Sequence, residues 1–162
     1  MAWCVEYATG RYARRVIQGT NAPDFTMTAH TGDSITLSAL RGKWVVLYFY
    51  PADDTPGCTA EACSFRDSYQ DFTDAGAVVV GVSGQDATSH TKFAAKHNLP
   101  FALLSDTDGA LRKAYGVKKS LGLLPGRVTF VIDPSGVVRK EFSSQLMAKK
   151  HIGEALSVIQ AA

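Results

Sequence analysis

Seven consecutive β-forming apolar residues, Trp44-Val45-Val46-Leu47-Tyr48-Phe49-Tyr50, end at Pro51, and a helical period follows soon after. A run with no polar alternation reads as a strand buried on both faces, so other layers must cover it on each side. Cys58, Ala62, Phe65, Tyr69 and Phe72 recur on one helical face, with Gly76 as the stop. The spacing thus predicts one helix over residues 58–76. Residues 77–83 are a second buried strand, 87–98 a helix, 101–104 a short strand and 109–115 a short helix. Residues 127–132 and 137–142 flank Asp133-Pro134-Ser135-Gly136, whose Pro and Gly positions fit a type I turn and predict a hairpin. Residues 149–160 close the chain as an amphipathic helix with Ile152, Leu156 and Ile159 on one face. Upstream, two short extended pieces near Phe25 and Ile35 are joined by the turn-prone Thr31-Gly32-Asp33. This order predicts an α/β layered domain with a mixed sheet.

Composition narrows the class without naming a function. The chain has 162 residues, 46% of them apolar and 20% charged, which suits one globular domain with its own core. A net charge of +2 gives no electrostatic reason to expect nucleic acid or an anionic membrane as partner. The apolar runs fall far short of the ~18 residues of a membrane span. Residues 1–19 stand apart, with Arg11, Arg14 and Arg15 against the single acid Glu6. They read as an N-terminal extension, a tag or a targeting remnant, and 20–162 as the folded domain. Three cysteines are too few, and odd in number, for a secreted disulfide framework. A reducing intracellular compartment is expected, with cytoplasm and chloroplast stroma both open.

Chemistry concentrates where the first strand gives way to the helix, the strand end at which α/β sheets place ligands. Thr55 is positioned as a helix N-cap and Pro56 suits the first helical position. Cys58 then falls in the first turn, where free N–H groups and the dipole favour an anion. A lone cysteine is ordinarily a small buried hydrophobe; this placement marks Cys58 as a nucleophile instead. Cys63 lies on the polar side of the same wheel with Asp67, Gln70 and Asp74. Five helical residues put the two Cα atoms roughly 8.7 Å apart. A disulfide requires less than about 7 Å, so the pair cannot close while the helix is intact. The C-x₄-C spacing is not the C-x-x-C of a thioredoxin-type redox site. A zinc site would draw on Cys4 and the scattered His30, His90, His97 and His151, each read here as a surface or capping residue.

Pro51-x₃-Thr55-x₂-Cys58 resembles the peroxiredoxin motif P-x-x-x-(T/S)-x-x-C. The longer string from Tyr48 through Cys58-Thr59, Ala62-Cys63 and Phe65-Arg66-Asp67 is similar to the Q type, the bacterioferritin-comigratory-protein group. Likeness continues through Val79-Val80-Gly81-Val82-Ser83, Leu103-Leu104-Ser105-Asp106 and the stretch from Pro125-Gly126-Arg127 to Asp133. The resemblance implies a thioredoxin-like three-layer fold, a central mixed sheet flanked by helices. It implies a thiol peroxidase that reduces hydrogen peroxide and organic hydroperoxides without metal or organic cofactor. Cys58 would be the peroxidatic cysteine, Cys63 the resolving cysteine, and a Cys58–Cys63 disulfide would be recycled by thioredoxin or a related dithiol protein. Thr55 would hydrogen-bond the thiolate or peroxide, Arg127 would hold the thiolate and polarise the peroxide, and Pro51 would shield the site from water. Glu61 would orient Arg127, at a position where related sequences often carry Gln. A monomer is expected, since intramolecular resolution requires no second subunit. Two other classes remain open: a peroxide sensor or disulfide relay using the same pair, and a redox-inactive binding module on the same scaffold.

Overall fold

The computed structural model of the protein describes residues 16–119 and 126–162. Two short strands, β1 (Thr26–Thr28) and β2 (Ser34–Thr36), pair antiparallel across the Thr31-Gly32-Asp33 turn. The main sheet contains β3 (Trp44–Phe49), β4 (Ala77–Ser83), β5 (Ala102–Ser105), β6 (Val128–Ile132) and β7 (Val138–Ser143). Their order is β5-β4-β3-β6-β7, with β3, β4 and β5 parallel and β6 and β7 antiparallel to their neighbours. The mixed sheet anticipated from the element order is therefore present, with the apolar 44–50 run at its centre.

Strand period decides which side chains face which layer. From β3, Val46 and Tyr48, followed by Tyr50, enter one core with Ala62 and Phe65 of α1 (Pro56–Asp67). Phe72 of α2 (Tyr69–Asp74), Phe93 of α3 (Ala87–His97) and Ile152 and Ile159 of the C-terminal helix complete that core. Val45, Leu47 and Phe49 enter the second core with Phe25, Leu37, Tyr115 and Leu111, the last on α4 (Ala110–Ala114). The C-terminal helix is α5 (Lys150–Gln160).

The single helix expected over residues 58–76 is two. Ser68, at φ −98° and ψ 8°, closes α1 and opens α2, and its amide still reaches the Ser64 carbonyl at 3.1 Å. Serine is a weak helix former with an intermediate conformation open to it, so it interrupts the helix without redirecting its apolar face. Phe65 and Phe72 remain in contact across the break, ring centroids 5.7 Å apart. The predicted hairpin forms, with the Gly136 amide donating to the Asp133 carbonyl at 2.9 Å and Gly136 at φ +85°.

Register explains where a site can be built. Phe49, the last residue of β3, faces Val128, the first of β6. The residue before β6, Arg127, therefore comes beside the segment that leaves β3 and enters α1. Residues 1–15, with Cys4, lie outside the described residues. Val16 is buried in the second core, and the Gly19 amide donates to the Val138 carbonyl at 2.7 Å.

Candidate active site

Helix α1 begins with Pro56 at its first position, after Thr55 in extended geometry. Pro56 sets a helical φ and lacks an N–H that would have no intrahelical partner there. Cys58 follows in the first turn, 1% exposed and packed with Ala62 and Phe65. The guanidinium of Arg127 comes in from the sheet side: Nη2 donates to Cys58 Sγ at 3.3 Å and Nη1 to Glu61 Oε2 at 3.0 Å. Gly57 makes the approach possible, because a Cβ there would sit 2.9 Å from Arg127 Nη2. The Arg127 carbonyl accepts from the Ser144 amide at 3.3 Å, tying its backbone to the chain beyond β7.

This group is buried and incompletely satisfied. Glu61 is 0% exposed, and among the described residues its Oε1, the Arg127 Nε and the Tyr48 hydroxyl have no hydrogen-bond partner. Burial pushes the Glu61 carboxyl up to about 8, with the Arg127 charge and hydrogen bond pulling it back. Desolvation opposes the Arg127 charge, but Glu61 and Cys58 outweigh it and raise its pKa. Burial also drives the Tyr48 phenol well above its ordinary value, with Glu61 and Cys58 adding to the effect. The Arg127 guanidinium thus lies against both the buried sulfur and a carboxyl that burial holds toward its neutral form.

The remaining expected site residues border this group. Pro51 is half-buried at the end of β3. Thr55 occupies the N-cap position, but its side chain does not cap α1. Its hydroxyl donates to the Ala52 carbonyl at 3.1 Å, because the loop turns back there and offers a nearer acceptor. That hydrogen bond goes to the loop backbone and not to Cys58. Cys63 is partly exposed on the same unbroken helix, and both thiols are free.

Several residues went unread in the sequence. Arg112 donates from Nη2 to the Tyr50 carbonyl at 3.2 Å and from Nη1 to the Gly126 carbonyl at 3.1 Å, joining both backbones that carry the site. Its guanidinium also lies 5.8 Å from the Phe49 ring centroid. The reading of the histidines as surface or capping residues fails for two of them: His90 and His151 are both 0% exposed. A signal was present, since His90 precedes Phe93 and Ala94 by three and four positions and so shares the apolar face of α3.

His90 belongs to a second polar group, one turn of backbone upstream of α1. Asp53 Oδ1 accepts from the Tyr50 hydroxyl at 2.6 Å, and Oδ2 from the Ser89 hydroxyl at 2.7 Å. His90 Nδ1 lies 2.8 Å from Asp53 Oδ2, and Nε2 lies 3.0 Å from the Leu104 carbonyl. A carboxylate and a carbonyl only accept, so a ring nitrogen that carries a proton donates to its partner. Burial tends to raise the Asp53 pKa, but the hydrogen bonds from His90, Tyr50 and Ser89 outweigh it and lower it. Among the described residues no group of three or more His, Cys, Asp or Glu side chains could hold a metal ion. No described helix is long and apolar enough to cross a membrane.

The AhpC/TSA family profile matches residues 18–141. Peroxiredoxin Q, chloroplastic, of Triticum aestivum is 51% identical over 94% of this chain and 71% of its own length. Among solved structures, peroxidoxin BcpB of Mycobacterium tuberculosis superposes at TM-score 0.81 and 38% identity, covering 89% of this chain and 96% of that one. The bacterioferritin comigratory protein of Xanthomonas campestris, studied for its alkyl peroxide reduction activity, gives TM-score 0.77 at 34% identity, covering 85% and 90%. The mixed five-stranded sheet flanked by helices in this chain is the thioredoxin-like arrangement that these solved structures match.

Proposed function

The chain belongs to the AhpC/TSA family and is a peroxiredoxin, a thiol-dependent peroxidase; from that premise we propose that Cys58 is its peroxidatic cysteine and Cys63 its resolving cysteine. The observation that carries the reading is the Arg127 Nη2–Cys58 Sγ contact at 3.3 Å in the first turn of α1. The Cys58 thiolate attacks one peroxide oxygen and the O–O bond breaks. The sulfur becomes a sulfenic acid, and the other oxygen leaves as water or an alcohol after taking a proton. Arg127 stabilises the thiolate beforehand and the departing oxygen's charge during the step. The Thr55 hydroxyl orients the peroxide, and Pro51 limits water at the mouth.

Cys63 then displaces hydroxide from the sulfenic acid, giving a disulfide and one water. The unwinding of the first turn of α1 precedes that step, since the helix keeps the two Cα atoms too far apart. A dithiol protein of the thioredoxin class restores both thiols by exchange. Hydrogen peroxide and organic hydroperoxides are the substrates; the alkyl peroxide reduction activity of the Xanthomonas campestris relative supports the second class. A monomer suffices for this cycle, with residues 20–162 as its working domain and 1–19 as an extension of which Val16 and Gly19 pack against that domain. The chloroplastic relatives favour the plastid stroma over the cytoplasm.

A peroxide-consumption assay with thioredoxin tests the reading. Cys58→Ser is expected to consume no peroxide above background. Cys63→Ser is expected to undergo one oxidation per molecule and then stall unless a small external thiol is supplied. Full thioredoxin-linked turnover in either variant would remove that cysteine from the cycle.

A further inference from the structure

The Pro51–Thr55 loop must satisfy two demands, and its contacts are unevenly divided between them. For the peroxide step it must hold Thr55 and the start of α1 against Arg127. For the resolving step the first turn of α1 must come out. The loop is pinned at three points, all upstream of Cys58. Arg112 holds the Tyr50 carbonyl at 3.2 Å. The Asp53 carboxylate is held by Tyr50, Ser89 and His90, with its residue only 7% exposed. Asp54 takes a left-handed backbone at φ +59°, with Lys96 Nζ 3.0 Å from its Oδ1. A non-glycine residue in that region is strained unless its surroundings hold it. At the other end of α1, Arg66 Nη1 donates to the His97 carbonyl at 2.8 Å. Both flanks of the helix are therefore fastened to α3, and the stretch between them carries both cysteines.

The geometry points to the buried Asp53–His90 pair, with Tyr50 and Ser89, as a positioning device that holds the catalytic loop in its peroxide-reactive form against the unwound, resolving form. The inference rests on the roles proposed above for Cys58 and Cys63. His90 suits the task because its far nitrogen is fixed on the Leu104 carbonyl of β5, so the loop is referred to the sheet itself. Neither Asp53 nor His90 has a contact with Cys58 among those the structure shows, so the pair acts through the backbone it holds. Loosening it slows the peroxide step and spares the resolving step, which begins with that same loop releasing.

Rapid-quench single turnovers with hydrogen peroxide, read by intact mass, give the two rates separately in the full chain. Asp53→Asn keeps the size and loses the charge; oxidation of Cys58 is expected to slow about tenfold from misplacement of the loop. Ser89→Ala removes one peripheral hydrogen bond and is expected to slow it about threefold. Disulfide formation from the sulfenic acid should be no slower than in wild type in either variant. A merely weakened fold would lower both rates together, and circular dichroism identifies a variant that does not fold. If Asp53→Asn fails to fold, Ser89→Ala decides alone. Wild-type oxidation rates in a folded variant, or equal falls in both rates, would overturn the proposal. A wild-type protein that forms no sulfenic acid, or no disulfide, would instead overturn the assignment of Cys58 or Cys63.

Discussion

Two buried polar groups flank the start of α1, and they differ in how completely they are satisfied. Around Asp53, both carboxylate oxygens and both nitrogens of His90 have partners between 2.6 and 3.0 Å. Around Cys58, Glu61 Oε1, Arg127 Nε and the Tyr48 hydroxyl have none among the described residues. Buried polar atoms without partners are rare, because each loses its hydration without recompense. A saturated group gives rigidity; an unsaturated one keeps hydrogen-bonding capacity for something that arrives. On the proposed roles, the contrast separates a residue set that holds the backbone from one that handles a substrate, although the two lie on neighbouring segments.

The largest effect should come from the unsaturated group. Replacing Arg127 by Met removes a fixed donor at the reacting sulfur and should cost roughly 10²–10³-fold in kcat/KM for hydrogen peroxide. The thermal midpoint should change little. Burial already holds Glu61 toward its neutral form, so loss of its partner does not strand a charge. Asp53→Ala should add to its slower peroxide step a loss of about 1–3 kcal/mol of stability, by leaving a buried His90 ring nitrogen without its partner. Urea unfolding of both variants beside their peroxide rates is the test. Equal losses of stability would erase the distinction between the groups.

Legibility in the sequence follows the same division. The strand–turn–helix junction was readable because Pro51, Pro56 and the apolar period are local signals. The sheet followed from the 44–50 and 77–83 runs, since strands without polar alternation belong at the centre. Cys58 was readable from its place in the first turn, and Arg127 only from the family resemblance. Nothing local says that Arg127 points inward; that depends on Phe49 facing Val128 across two strands far apart in sequence. Ser68 was missed because the apolar face continues past the break it makes. Asp53 and His90 were missed because a buried carboxylate–imidazole pair has no sequence period: each residue looks like a surface group until the other is brought to it. Arg112 is of the same kind, tied to two backbone carbonyls rather than to any motif.

His151 sharpens the comparison as a saturated histidine of the other kind. Its Nδ1 lies 2.7 Å from the Thr129 hydroxyl and its Nε2 2.9 Å from the Ser144 carbonyl, an arrangement that suits a neutral ring. Burial is the main cause that lowers its pKa, from 6.5 to about 4. The unfolded chain therefore takes up the proton first as pH falls. The stabilisation is complete above about pH 6.5 and is lost progressively toward pH 4, by about 2 kcal/mol at pH 5. His151→Gln should flatten that window in urea midpoints measured at pH 7 and pH 5. An equally steep loss in the variant would place the acid sensitivity elsewhere.

Glu61 provides the finest test, because its oxygen has a partner on one side only. Glu61→Gln keeps an acceptor for Arg127 Nη1 and removes the ionisation. At pH 7 the carboxyl, pushed up to about 8 by burial, is largely neutral, so the substitution should change the rate of Cys58 oxidation by less than about threefold. Above pH 8 the wild-type carboxyl ionises and draws the Arg127 charge away from the sulfur, which should lower the rate; the glutamine variant lacks that decline. Stability should follow the same sign. A carboxyl raised from 4.5 to about 8 stabilises the fold fully below pH 4.5, and that contribution disappears as pH rises through 8. Single-turnover oxidation rates from pH 6 to 9.5, for wild type and Glu61→Gln, measure the difference. Superimposable profiles would mean that Glu61 keeps its charge beside Arg127 throughout, and that the open oxygen is a feature of packing with no part in the chemistry.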